Sequence, residues 1–218
     1  MANPYREIFS APGTKAFSGA GLIARMPISM VGIGIITMLA QLQGSYWLAG
    51  GVAATFALAT ALLAPQISRW VDRYGQRRIL PGVTAIGVSG LLALLLCSHF
   101  GAPDWTLFVF AALSGCMPSM SAMVRARWTE LYRGSPKLHT AFSFESVLDE
   151  VSFIIGPPIS VGLSVALFPQ AGPLAAAILL AIGVSAFVLQ RNTEPPVHPR
   201  SSEHQGTVLR QGAVVVLL

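Results

Sequence analysis

The chain has 218 residues, 14 Lys and Arg against 9 Asp and Glu for a formal charge of +5, a hydrophobic fraction of 53% and a charged fraction of only 11%. With a mean hydropathy of +0.63, this composition excludes an ordinary soluble domain and makes the basic excess a topology signal, with no nucleic-acid partner expected. The two cysteines, Cys97 and Cys116, lie inside apolar runs, which excludes a disulfide framework; they read as packing residues.

The opening MANPYREIF is polar and mixed, unlike a cleaved signal peptide, and the first apolar run is too long for one. A helix crossing the bilayer core needs about 20 mostly apolar residues. Six segments qualify, and they predict spans over 17–39, 46–67, 79–97, 105–124, 144–167 and 173–189. Period-two alternation is absent, so the expected fold class is an all-α integral membrane protein.

Span 1 holds Arg25 about 12 Å deep at 1.5 Å per residue, too deep for simple snorkelling. It also carries Met26, Met30 and Met38. Span 2 repeats small residues every four positions, Ala49, Ala53, Ala57, Ala61 and Pro65, with Gly50 and Ala54 alongside, a pattern that lets helices approach closely. It ends in SRWVDRYGQRR, which packs Arg69, Arg73, Arg77 and Arg78 around the single Asp72.

Span 4 carries Met117, Met120 and Met123, which together with the span 1 methionines suit either an adaptable cavity or the lipid face. The hairpin to span 5 turns near Gly134 to Lys137, so Arg125 and Arg127 are expected level with Glu145 and Asp149, which share a helix face four residues apart. A structural ion-pair cluster of Arg125, Arg127 and Glu145 follows from that register. Glu150 is rotated about 100° from Asp149 and cannot easily serve the same arginines. Gly156 and Pro157 mark an expected kink in span 5. After span 6, residues 191–211 read as a polar linker. Residues 212–218 read as the start of a seventh span, the alternative being a short hydrophobic tail on a six-span protein.

Loops 1–2, 3–4 and 5–6 contain no Lys or Arg, whereas the N-terminus, the 2–3 and 4–5 connections and the tail carry all of them except Arg25 of span 1. Both termini are therefore expected in the cytoplasm, with His99 on the outer side and His139, His198 and His204 on the inner, too scattered for a metal site.

The stretch Ser68-x-x-x-Asp72-Arg73-x-Gly75-Gln76-Arg77-Arg78 resembles the signature of the major facilitator superfamily between spans 2 and 3, with Ser68 standing where that signature has Gly. The resemblance implies an N-terminal six-helix half built as a three-plus-three inverted repeat, rocking against a C-terminal half about a midplane site. It also implies that Asp72, Arg73 and Arg77 latch the cytoplasmic side. In span 5, Ser152, Gly156 and Pro157 partly match the antiporter pattern Gly-x-x-x-Gly-Pro-x-x-Gly-Gly, whose paired glycines are replaced by Ser160 and Val161, with Gly162 one place late.

The same resemblance sets span 1 beside span 5 and makes Arg25 a partner for Asp149 or Glu150. The expected function is then secondary transport of a small molecule by alternating access, as proton-coupled efflux, with Asp149 or Glu150 carrying the proton and no cofactor. The setting is a bacterial cytoplasmic membrane. Uptake by symport or uniport, or a half-size six-span protein or channel acting as a dimer, are the alternatives. An intramembrane protease is disfavoured: no His falls in the middle of a span, and the LSGC around Ser114 lacks a preceding glycine.

Overall fold

The computed structural model describes residues 4–196, and within them the chain forms eight α-helices and one 3-10 turn. In order these are α1 (Pro4–Ile8), α2 (Thr14–Gln43), α3 (Tyr46–Tyr74), α4 (Gln76–His99), α5 (Asp104–Ser114), α6 (Met120–Tyr132), α7 (Lys137–Ala166) and α8 (Ala171–Val188), followed by the turn Arg191–Thr193. The expected seventh span at 212–218 and most of the expected linker lie outside the described residues.

Helix α2 is the centre of the bundle and packs against α8, α7, α3 and α6, while α4 packs against α5 and α8. Five helices, α2, α3, α4, α7 and α8, are long and apolar enough to cross a membrane. Several outrun the predicted apolar spans, because helical hydrogen bonding continues past the point where side chains turn polar. Thus α3 continues seven residues beyond Ile67 to Tyr74.

The expected fourth span is not one helix. It divides into α5, whose 11 residues rise about 16 Å, and α6, with 115–119 irregular between them. Pro118 supplies the reason: it has no N–H for the helical ladder and disfavours helical geometry at Met117. The break is roofed by protein backbone. A Cβ on Gly87 of α4 would fall 2.5 Å from the Cys116 carbonyl oxygen, and one on Gly90 2.7 Å from the Ser114 nitrogen. Irregular backbone at membrane depth is tolerated where protein covers it in this way.

Helix α7 is built inside out for water. Its buried residues are Ala141, Glu145, Ser152, Gly156, Ser160 and Ser164, whereas Phe153 and Ile154 are 57% and 68% exposed. Small and polar groups inside with large apolar groups outside is the arrangement expected in lipid, where close backbone approach and interhelical hydrogen bonds replace the hydrophobic drive between helices. Ser29 of α2 donates to the Ser152 carbonyl at 2.9 Å, and Ser160 of α7 donates back to the Met30 carbonyl at 2.9 Å. Between these bonds lies Gly156, where an added Cβ would land on the Ser29 hydroxyl. Helix α7 runs unbroken through Pro157 and Pro158. Gly156 is therefore needed for the approach of α2.

The small-residue face of α3 splits. Ala49 and Ala53 are buried in the bundle, while Ala57, Ala61 and Pro65 remain exposed together with Leu58 and Leu62. Of the methionines, Met30, Met38, Met117, Met120 and Met123 are core residues and Met26 is half-buried against the core, while Met117 and Met120 also line a small cavity beside Arg25. Exposed aromatic residues mark the two ends of the bundle, with Tyr46, Trp47, Phe100 and Trp105 at one and Trp70 and Tyr74 at the other.

Replacing Gly156 with Val is expected to lower the stability of the detergent-solubilised protein by about 1–3 kcal/mol through overpacking of the α2–α7 seam. Phe153→Leu on the exposed face should change it by less than about 0.5 kcal/mol. Comparable thermal shifts in the two variants would refute the close approach.

Candidate functional site

Three helices contribute one polar face each to a single buried cluster. On α2 the face is Ser18, Gly21 and Arg25; on α6 it is Ser121, Arg125 and Trp128; on α7 it is Glu145, Asp149 and Ser152. Each set follows the i, i+3 or i+4, i+7 spacing that stacks side chains on one side of a helix.

Arg25 is 3% exposed. Its Nη2 pairs with Glu145 Oε2, its Nη1 donates to Asp149 Oδ1 at 2.9 Å and to the Glu145 carbonyl at 3.2 Å, and its Nε donates to the Gly21 carbonyl at 3.3 Å. Glu145 is fully buried, and its other oxygen, Oε1, accepts from Trp128 Nε1 at 2.8 Å and Ser18 Oγ at 3.0 Å. A buried carboxylate whose two oxygens each meet a cation or a donor has much of its desolvation cost offset.

Asp149 is the cluster's outlet. Its Oδ1 accepts from Arg25 and from Ser121 Oγ at 2.5 Å, its Oδ2 accepts from Arg125 Nη2 at 2.9 Å, and its side chain is 23% exposed. Two cations, Arg25 and Arg125, thus face two anions, Glu145 and Asp149, and the cluster has no net charge. Beside Arg25, a cavity of about 40 Å³ opens between Ala24, Ile28, the 117–121 stretch and Leu180, space on the scale of a water molecule.

At the other side Trp128 closes the cluster off. Phe17 meets it edge-on at 4.7 Å, Phe9 at 5.9 Å, and Tyr132 stacks on it at 5.8 Å. The Tyr132 hydroxyl donates to the Ile8 carbonyl at 2.7 Å and so ties the N-terminal segment over this stack.

Two sequence expectations need correction. Arg127 makes no ion pair with Glu145 or Asp149. Two residues from Arg125, it is turned about 200° around the α6 axis, and its guanidinium reaches the Gln76 side chain at 2.9 Å, the Phe187 and Gln190 carbonyls at 3.1 and 3.0 Å, and Thr193 Oγ1 at 2.8 Å. It lies over the Phe187 ring at 3.7 Å. Arg127 therefore joins the start of α4 to the end of α8. Glu150 is exposed and, among the described residues, enters no hydrogen bond or ion pair; Arg25 is engaged by Asp149 and Glu145 instead, because Glu150 faces away from α2.

The loop signature occupies the α3–α4 turn. Gly75 has φ 89° and ψ 153°, a conformation that only glycine adopts readily. Gln76 is buried and donates to the Met123 carbonyl at 3.0 Å, whereas Asp72, Arg73, Arg77 and Arg78 are exposed and Ser68 is half-buried. Ser18, Ser121 and Trp128 are the site members that sequence reasoning passed over, and Gln76 was named only as part of the loop signature. The signal available for the first three was their helical register with Arg25, Arg125 and each other.

Removing the Arg25 charge with Arg25→Met is expected to cost about 3–5 kcal/mol, because it strands the Glu145 anion in the core. Arg125→Met, at a partly exposed pair, should cost less than about 1 kcal/mol. Thermal unfolding of both variants in the same detergent checks this, and equal losses would contradict the assigned burial.

The chain matches the sequence model of the Major Facilitator Superfamily over residues 17–218. It is similar to the uncharacterized MFS-type transporter YdeG of Bacillus subtilis, 28% identical over 205 residues covering 91% of this chain and 46% of that protein. It is also similar to multidrug resistance protein 1 of Bacillus subtilis, 28% identical and covering 85% of this chain and 47% of that protein. Fosmidomycin resistance protein of Escherichia coli is 31% identical over 115 residues, 49% of this chain and 27% of that protein. No solved structure gives a significant match. The chain spans about half the length of the first two relatives. With an apolar-surfaced helical bundle, a polar cluster buried between three helices and a family match over most of its length, the chain belongs to the Major Facilitator Superfamily.

Proposed function

We propose that this chain is the N-terminal six-helix half of a transporter that exports small molecules by alternating access, driven by protons moving the other way. In this reading the broken pair α5 and α6 together serve as the fourth of six spans, arranged as a three-plus-three inverted repeat. The basic end and the N-terminus face the cytoplasm of a bacterial cell, and a C-terminal half completes the binding site. The efflux direction rests on two relatives whose names denote drug resistance.

The observation that carries the proton assignment is the asymmetry of the two cluster carboxylates. Glu145 is fully buried and saturated by Arg25, Ser18 and Trp128, which suits a fixed structural anion. Asp149 holds the same arginine but reaches the surface, so it can exchange a proton when the helices move. Charged groups inside a spanning bundle are costly, and they usually mark ion or proton pathways. Arg25 then tunes Asp149, or meets an anionic substrate group when Asp149 is neutral. Asp72, Arg73 and Arg77 act as the latch toward the second half, a role consistent with their exposure. Glu150, outside the cluster, drops from the proton-carrying assignment.

The test uses the full reading frame containing this chain, in inverted membrane vesicles with an imposed pH gradient and a panel of amphiphilic compounds. Substrate-dependent collapse of the gradient is expected, reduced at least tenfold in Asp149→Asn and retained in Glu150→Gln. Collapse that survives in Asp149→Asn would return the aspartate to a structural role. No collapse with any compound, with folded protein present, would favour uptake or uniport.

A further inference from the structure

The basic end carries a second, separate concavity. A space of about 570 Å³ opens between the α3–α4 turn and the strap that follows α8, lined by Tyr74, Arg77, Arg78, Arg191 and Glu194 among others. The three arginines are exposed. Among the described residues, none of their guanidinium groups makes a hydrogen bond or an ion pair. The one carboxylate in the pocket is turned elsewhere: Glu194 Oε1 accepts the Arg77 backbone N–H at 2.8 Å and so caps the first turn of α4, where unsatisfied N–H groups and the helix dipole favour an anion.

The strap that carries Glu194 is anchored from below. Arg127 bonds the Gln190 carbonyl and Thr193 Oγ1, so the pocket wall is part of the packed fold. Helix α3 is apolar and exposed through Leu62 and then presents Trp70 and Tyr74, both exposed and one turn apart, with Tyr74 lining the pocket. Aromatic residues at this transition sit at headgroup level.

We infer that this pocket binds the headgroup of an anionic phospholipid, with Arg78 and Arg191 meeting the phosphodiester and Glu194 acting as the built-in anion that limits its affinity. Charge complementarity decides the occupant: among the described residues the guanidinium groups of Arg78 and Arg191 have no partner, they flank a broad, open depression, and the exposed Trp70 and Tyr74 close to it suit headgroup level, which together favour a phosphate ester held in the bilayer over a soluble anion. The inference requires that the chain crosses the membrane and does not depend on the proton assignment.

The experiment takes the protein from its full reading frame in detergent and titrates dioctanoyl phosphatidylglycerol, dioctanoyl phosphatidylcholine and free glycerol phosphate, reading apparent Kd from the shift in thermal unfolding. Saturable binding is expected for phosphatidylglycerol alone. Arg78→Gln and Arg191→Gln should each weaken it about fivefold, while Glu194→Gln should tighten it. Arg6→Gln combined with Lys15→Gln removes two exposed charges elsewhere at the same end and should leave it unchanged. Equal weakening in that control, equal affinity for glycerol phosphate, or no change in the arginine variants would overturn the site. Weaker binding in Glu194→Gln would overturn the role given to that carboxylate.

Discussion

The pairing of Arg25 with Glu145 is the constraint on which the rest of the bundle rests. Each charge taken alone from water into the core would cost several kcal/mol, and the pair is tolerable only with good geometry and every remaining donor and acceptor engaged. That requirement places α2, α6 and α7. Ser18 must come from α2, the Trp128 indole from α6, and both carboxylates from α7, with the helices close enough for bonds of 2.8 to 3.0 Å. The small residues at the α2–α7 seam, Gly156 above all, make that distance possible. The interruption at Pro118 starts α6 afresh at Met120, and Ser121 in its first turn then reaches Asp149.

A bundle organised around a buried polar cluster has to place its large apolar side chains somewhere else. Here they go outward. The exposed Phe153, Ile154, Leu58 and Leu62 would be liabilities for a soluble protein, and they become the natural contact surface once the solvent is lipid. The same logic accounts for the aromatic residues at the two ends and for charges that gather past the ends of the apolar runs. Solvent, and not propensity, selects which face of each helix is inside.

The basic end shows how one composition serves several physical purposes. Arg127 is consumed internally, bonding the Phe187 and Gln190 carbonyls at the end of α8. Arg125 neutralises Asp149. Among the described residues, the guanidinium groups of Arg77, Arg78 and Arg191 stay unpaired at the surface, around a pocket whose rim Glu194 fixes by capping α4. Residues alike in charge thus separate into structural, cluster and surface roles according to the helix face on which each lies.

The sequence by itself determined the class of the fold and the solvent it requires, because hydropathy summed over about 20 residues is a local property that needs no partner to be read. It also determined that a basic connection separates the second and third apolar runs, though not that the turn narrows to Gly75, and the shared face of Glu145 and Asp149, since helical register is fixed by the backbone. The division of the fourth span was legible only in part: Pro118 stood in plain view, but a proline can bend a helix or end it, and the choice depended on Gly87 and Gly90 admitting the exposed backbone. Tertiary structure alone decided which arginine meets which carboxylate. Arg125 and Arg127 are equivalent in composition and depth, and only the rotation of α6 against α4, α7 and α8 sends one to Asp149 and the other to Gln76. The same packing buried Glu145, left Asp149 partly open and excluded Glu150, because burial is a relation between helices that no single helix encodes.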